Sequence, residues 1–461
     1  MAKTIEEILK LTPDEAVKEL RKKTVEIPKW EDLEKEYNPK KHPVMTDPSY
    51  IDIIDDNGGI EKVTRVTEGL QRLAVERMIG LSFGIPVKRV YKPKENDKNE
   101  QIVAKAIETI LTQNRINAVN IDRFRMLFAS CEVATMWFAV EQPNSLYGFP
   151  SKLKLRCRHY SQMKGDGIYP LFDAETDDLI ALSFYYKRKE GDKDVEYFDV
   201  YTADRHIRFK KEGKEWERED RLFTVGKIPG VYCHRPTPIW EDLSNLVEER
   251  EWTFSRNGNY LRKNLKPLVA LFADEEIHFN QEKSENKEFK AVLQYPKGSE
   301  LKYVTWEQAI DNLKFFTNEL KQSFFTQLQL PDISYDNMKT TPMSGESRKM
   351  LLIDAMLKVT QESGRLLEMF DREINVIKAF LKIMMPGMND AIDGLKVENQ
   401  IVPYTITDDK DTIGNIMTAT AGKPIMSQLE GIQYLGWSDS PDETMRQIKE
   451  ESNLDALNLA E

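Results

Sequence analysis

Five residues, Gly80-Leu81-Ser82-Phe83-Gly84, have the G-x-S-x-G spacing of a nucleophile elbow, in which a serine sits on a sharp turn from a strand into a helix. The pattern around them runs the other way, with a helix before and a strand after, so a helix-to-strand turn is the plainer reading. Cys157-x-His159 and Cys233-His234 bring four zinc-type donors. Their spacing fits no zinc module, and buried cysteines beside solvated histidines account for them. Acidic pairs recur at Glu248-Glu249, Asp408-Asp409 and Glu450-Glu451, and solvated helix faces explain such pairs without chemistry. The chain contains no G-x-x-x-x-G-K-[ST], G-x-G-x-x-G or H-E-x-x-H, so an ATP-driven motor or a metalloprotease lacks its minimum parts. The sequence therefore predicts a non-enzyme with no cofactor and no catalytic or metal residue. A nucleic-acid-processing hydrolase built on Ser82 or the carboxylates is the alternative.

The composition narrows the classes further. Of 461 residues, 40% are hydrophobic and 31% charged, which describes a folded protein with a large wet surface. That length suits two or three compact units, or one elongated subunit that buries surface against neighbouring copies. The net charge of -11 argues against a protein that grips nucleic acid by neutralising phosphates, though it does not exclude one that DNA must slide through. Cys131, Cys157 and Cys233 supply neither a disulfide framework nor a C-x-x-C pair, which predicts a reducing cytoplasm. The N-terminus lacks the apolar core of a signal peptide, and the apolar run Val133–Val140 is too short to span a bilayer, so no membrane association is expected.

The elements follow from periodicity and punctuation. Thr12-Pro13-Asp14-Glu15 predicts a capped helix start, with the helix running to about Lys23. Pro28, Pro39, Pro43 and Pro48 predict an extended arm over 27–56. Helices are predicted over 59–79 and 99–128. The alternation of Leu153, Leu155 and Cys157 with Lys152, Lys154, Arg156 and Arg158 predicts a strand with one wet face, opening a mainly antiparallel sheet region that reaches Val231. The basic face reads as a sheet face guarded by charge, with contact to DNA or to acidic neighbours as its functional reading. Two helices, 241–264 and 310–330, flank a small αβ insertion at 267–305. A polar loop then leads into a proline-free run, 346–385, long enough for an extended helix with a bend expected at Gly364. A strand at 397–407 precedes two short helices, the second opened by Ser440-Pro441.

This order of parts resembles the portal family of tailed phages, in the branch found in many long-tailed siphophages. Three stretches carry the resemblance most specifically. The first runs from Ala309-Ile310-Asp311-Asn312-Leu313 through Leu330-Pro331-Asp332-Ile333-Ser334 to Ser344-Gly345-Glu346-Ser347. The others are Ile79–Val87, similar to the family's G-x-x-F-G-x-P segment, and Trp437–Glu451, similar to its terminal acidic helix. Cys131-Glu132-Val133-Ala134 departs from the family's usual G-x-A at that place. The resemblance implies an α+β subunit of a ring, in which 1–60 is an N-terminal helix and arm and 61–235 the wing. Stem helices fall at 236–265 and 308–330, with the clip between them at 266–307. The tunnel loop is 331–345, the long helix 346–386, the last wing strand 387–407 and the small crown 408–461. It further implies a closed ring of twelve copies at the portal vertex of the virion, assembled in the host cytoplasm. The implied partners are double-stranded DNA in transit, the terminase large subunit, head-completion or adaptor proteins, and a major capsid or scaffolding protein. Asp336, Asn337, Met338, Lys339, Thr340 and Thr341 would face the DNA. Another capsid or tail structural protein, assembling without a channel, is the remaining alternative.

Overall fold

The computed structural model describes residues 4–54, 60–95, 97–173, 175–222, 225–264, 268–272, 300–304, 310–332, 350, 352–404, 409–421, 424–438 and 440–458. Helices α1 (Ile5–Leu9) and α2 (Pro13–Leu20) open it. The Thr12 amide and hydroxyl both donate to one Glu15 carboxylate oxygen, at 3.3 and 2.8 Å, as the sequence predicts. The two helices bury Ile8, Ala16, Val17 and Leu20 against Phe198, Val200, Ile207 and Phe209 of a sheet.

The arm predicted over 27–56 is instead largely helical. It forms α3 (Trp30–Tyr37), a 3-10 turn (Pro39–Lys41) and α4 (Pro43–Thr46). Pro39 and Pro43 each take the first position of a helical turn, where a missing N–H costs nothing, so these prolines start turns and do not break them. Tyr37 stacks on Trp240 at 5.6 Å, and the Trp240 indole donates to Glu36 at 2.8 Å, so this segment lies on the chain's own body.

The helix predicted from residue 59 begins later. Residues 60–61 are a strand (β2) paired with β1 (Ile53–Ile54), residues 62–69 carry no regular structure, and α5 is Leu70–Phe83. The run Val63-Thr64-Arg65-Val66-Thr67 is rich in β-branched side chains that resist helix formation. After β3 (Lys88–Lys92), the helical region splits into α6 (Lys98–Gln113) and α7 (Ile116–Ser130), separated by Arg115 in the left-handed conformation.

Strands β4 (Glu132–Asn144) and β5 (Ser151–Tyr160) follow, then β6 (Gly167–Phe172), β7 (Leu179–Glu190), β8 (Lys193–Tyr201), β9 (Arg205–Lys211), β10 (Glu217–Leu222) and β11 (Gly230–His234). They make two antiparallel sheets, ordered β11-β4-β5 and β10-β9-β8-β7-β6. The sheets meet through Met136, Tyr160, Phe184 and Tyr186, with Tyr160 stacked on Phe184 at 4.2 Å. The apolar run at 133–140 is the inner half of β4, buried from Glu132 to Trp137.

Helices α8 (Ser244–Asn264) and α9 (Ile310–Leu328) flank the antiparallel pair β12 (Leu268–Phe272) and β13 (Glu300–Val304). The predicted apolar face of α9 is buried only at its C-terminal end, by Phe324 and Leu328, while Phe316 stays exposed. Helix α10 (Ile353–Met384) continues unbroken through Gly364. After α11 (Asn389–Gly394), β14 (Lys396–Gln400) pairs with β3. Among the described residues three helices follow, not two: α12 (Asp409–Thr420), α13 (Gln428–Leu435) and α14 (Pro441–Asn458). The Ser427–Glu430 capping box starts the helix that the sequence reading passed over.

The main core joins α5, α6, α7 and α10 to β4. At its centre the Arg123 guanidinium donates to both Glu373 carboxylate oxygens, at 2.7 and 2.9 Å, and to Thr135 at 3.1 Å. The Trp137 indole donates to the same carboxylate at 3.1 Å. A bidentate pair with a third donor satisfies most of what burial would leave unpaired, and it ties α7, β4 and α10 together.

Cys131 caps α7 at φ 66, a left-handed position that glycine holds without strain. The departure from the family's G-x-A thus falls on a position whose backbone suits glycine.

Candidate functional site

The helix pair is fixed to the body by polar contacts along one side of α8. Residues 62–69 run beside it: the amides of Thr64, Val66 and Glu68 donate to Asn259 (2.5 Å), Ser255 (2.9 Å) and Glu251 (2.7 Å). A β-carbon at Gly258 would come within 2.6 Å of the Thr64 side chain, so this close approach needs glycine. His42 contacts Glu251 through Nδ1 at 2.7 Å and the Glu36 carbonyl through Nε2 at 2.8 Å. Arg250 donates to Glu68 at 2.5 Å and reaches across to the Thr317 carbonyl of α9. The pair is therefore braced where it leaves the core.

The end of α9 and the residues that follow it, up to Asp332, are held just as specifically. Gln329 turns left-handed at φ 58, and the Leu330 amide returns to the Phe325 carbonyl at 3.2 Å, a helix-ending turn that Pro331 cannot extend. Arg77 on α5 donates to the Pro331 carbonyl and to Asp332, both at 2.8 Å, with its guanidinium 4.4 Å from the Phe325 ring. Lys321 on α9 holds the other Asp332 oxygen at 2.7 Å. Burial raises the Asp332 carboxyl, but hydrogen bonds from Lys321 and Arg77 outweigh it and bring it below the usual carboxylate value. Lys358 on α10 donates to the Leu328 carbonyl at 2.6 Å, placing a cation at the C-terminal end of α9. Burial, then the neighbouring Arg235, push the Lys358 ammonium down to about 8, against the pull of Glu362. An open cleft of about 480 Å³ beside this segment is lined by Lys321, Gln322, Asp332 and Asp354 among others.

Asp332, singled out as part of the P-D-x-S stretch, is thus held by cations from α5 and α9. Asp336, Asn337, Met338, Lys339, Thr340 and Thr341 lie outside the described residues. Arg77 and Lys358 were not foreseen, because no local motif marks a cation that will meet a carboxylate or carbonyl from another part of the chain, and Lys321, on the helix just before Asp332, belongs to no motif either.

The other candidates do not assemble. Ser82 is buried in the last turn of α5, and among the described residues its hydroxyl has no hydrogen-bond partner and no general base in contact. Cys157 pairs with Trp137 and Cys233 with Val133 across β4, four residues apart and about 13 Å along the strand. Burial pushes these thiols up, to about 11 and about 12, and holds His159 down at about 4 with help from Lys164 and Arg123. Among the described residues no three His, Cys, Asp or Glu side chains are grouped to hold a metal ion, and no helix is long and apolar enough to cross a membrane. Glu248, Glu249, Glu450 and Glu451 are exposed on helices.

The described residues form an α+β body that carries a braced helix pair, with Asp332 held at the end of α9. The chain belongs to the family described as "Phage portal protein, SPP1 Gp6-like", whose family model matches residues 18–456. The family is a structural one, and its members form the channel at one vertex of the capsid. Among solved structures, a chain of the "Virion of native gene transfer agent (GTA) particle" is 10% identical, with 90% of this chain and 96% of that chain covered at a TM-score of 0.40. A chain of the "Neck of native GTA particle computed with C12 symmetry" is 10% identical with the same coverages and a TM-score of 0.41. No curated protein matches the chain.

Proposed function

We propose that the chain assembles into a closed ring of about twelve copies at the portal vertex, after synthesis in the host cytoplasm, and passes double-stranded DNA inward during packaging and outward at ejection. Family membership across residues 18–456 carries this reading. The helix pair α8 and α9 with β12 and β13 corresponds to stem and clip. On this reading the clip docks the terminase large subunit, then head-completion or adaptor proteins, while the body meets the major capsid or scaffolding protein. Residues 336–341 reach into the channel from the root anchored at Asp332. The mechanism is mechanical and electrostatic. A chain of net charge -11 presents a wall that retains duplex DNA weakly, and Lys339 touches phosphates without reading bases.

Native mass spectrometry with negative-stain imaging tests the reading. A particle near twelve times 53.6 kDa with a central hole is expected, and Lys339→Ala should alter packaging while leaving that ring intact. A protein that stays monomeric when concentrated, or a Lys339→Ala variant that loses the ring, would count against it.

A further inference from the structure

We propose that the concave cationic face between β5 and the α6–α7 turn seats the acidic turn joining β6 to β7 of a second copy of this chain, a contact that rests on the ring reading above. The face is a hollow of about 730 Å³ lined by Arg115, Arg156, Arg158, Lys164 and Lys187, with Asp166 as the one carboxylate in its lining. In a chain of net charge -11, five cations around one hollow run against the overall balance. Neutralisation inside the protomer is partial. Lys187 meets Glu196 at 3.2 Å, and Arg158 lies over the rings of Tyr160 and Tyr186. Arg115, Arg156 and Lys164 make no ion pair among the described residues. Asp166 accepts from the Ser161 amide at 3.3 Å. The site also sits on an open sheet border, since β5 is the outer strand of β11-β4-β5, and Arg115 is held there in a left-handed conformation.

The occupant follows from charge and reach. The turn after β6 carries Asp173, Glu175, Asp177 and Asp178, none of which makes an ion pair among the described residues, and the last three are exposed. Asp173 accepts from the amides of Glu175 and Thr176. A protomer cannot fill its own hollow with this turn. Lys164 and Asp166 precede β6 and the turn follows it, so the six residues of Gly167–Phe172 hold the two about 20 Å apart. Between copies the same two surfaces can meet, and a contact that joins different patches is the head-to-tail kind that closes a ring. Guanidinium groups facing carboxylates set the register of such a contact and speed the encounter.

Charge exchange tests it. Arg156→Glu with Lys164→Glu reverses the hollow, and Asp177→Lys with Asp178→Lys reverses the turn; all four positions are exposed, and thermal melts check that each variant folds. Like charges facing each other across an interface cost several kcal/mol, so each reversed pair should raise the concentration needed for half assembly by about tenfold or more in native mass spectrometry. The protein carrying all four changes should return to within about threefold of wild type. Unchanged assembly in the reversed variants, or no recovery when the reversals are combined, overturns the contact. Unchanged assembly with weaker binding of a short DNA duplex would overturn it in favour of a nucleic-acid site. A wild-type protein that never assembles would overturn the ring reading and this contact with it, whereas an assembling wild type with indifferent variants overturns the contact alone.

Discussion

Arg123 and Arg77 each grip a carboxylate from a distant part of the chain, yet the two grips are built for different ends. The Arg123–Glu373 side chains are 0% and 2% exposed and Glu373 also accepts from Trp137, whereas the Arg77–Asp332 side chains are 15% and 17% exposed and Asp332 lines an open cleft. Charges sealed from water cannot be parted cheaply. Charges beside water can exchange a partner for solvent at small cost. The first therefore fixes the body, and the second holds the chain where it leaves α9 with a grip that water can reach.

The largest expected effect breaks the sealed grip. Glu373→Ala should lower stability by about 3–5 kcal/mol, since it strands a buried guanidinium, and urea unfolding measures it. Replacing both Arg123 and Glu373 with methionine should cost less than either change alone. Equal or greater loss in the double variant would mean that the pair contributes more than mutual neutralisation.

A middle-sized effect concerns Lys358 at the end of α9. Its ammonium titrates near 8 in the folded chain but near the ordinary lysine value when unfolded, so the unfolded state binds more protons in between. Stability should rise with pH from about 8 to about 10.5, and the rise should be smaller in Lys358→Met. Parallel unfolding curves of the two proteins at pH 8 and pH 10 would remove this cation from the picture.

The smallest effect is expected from Asp332→Asn. Its grip is partly exposed, and the loss should stay within about 1 kcal/mol. Because the folded carboxyl titrates below its ordinary value, its contribution is present above about pH 4 and disappears as the pH falls through the folded value. Wild type and variant should converge in acid. A loss comparable to that of Glu373→Ala would erase the distinction between the two grips.

Much of the architecture was legible where one local rule decided the outcome. The alternation at 152–158 became β5, and Thr12-Pro13-Asp14-Glu15 became a helix start. Reading failed where position changes a residue's meaning. Pro39 and Pro43 look like breakers until they are seen at first helical positions, and the β-branched run at 63–67 carries an apolar spacing that its backbone does not follow. Ser427-x-x-Glu430 was a visible capping signal passed over between Pro424 and Trp437. At the site, Asp332 was marked by its motif, but Arg77 comes from 255 residues earlier, a separation that local patterns cannot encode, and Lys321 on the preceding helix carries no motif of its own.

The pairing of β3 with β14 bears on how the molecule comes into being. Lys92 and Glu398 meet across 306 positions, and Arg123 waits 250 positions for Glu373. During synthesis the N-terminal half therefore leaves the ribosome without its last strand or the carboxylate that neutralises its centre. Contacts this distant slow folding and lengthen the time that apolar surface lies open. A nascent chain truncated before α10 should need chaperone protection, and commitment to the native state comes only when the final quarter of the chain has emerged.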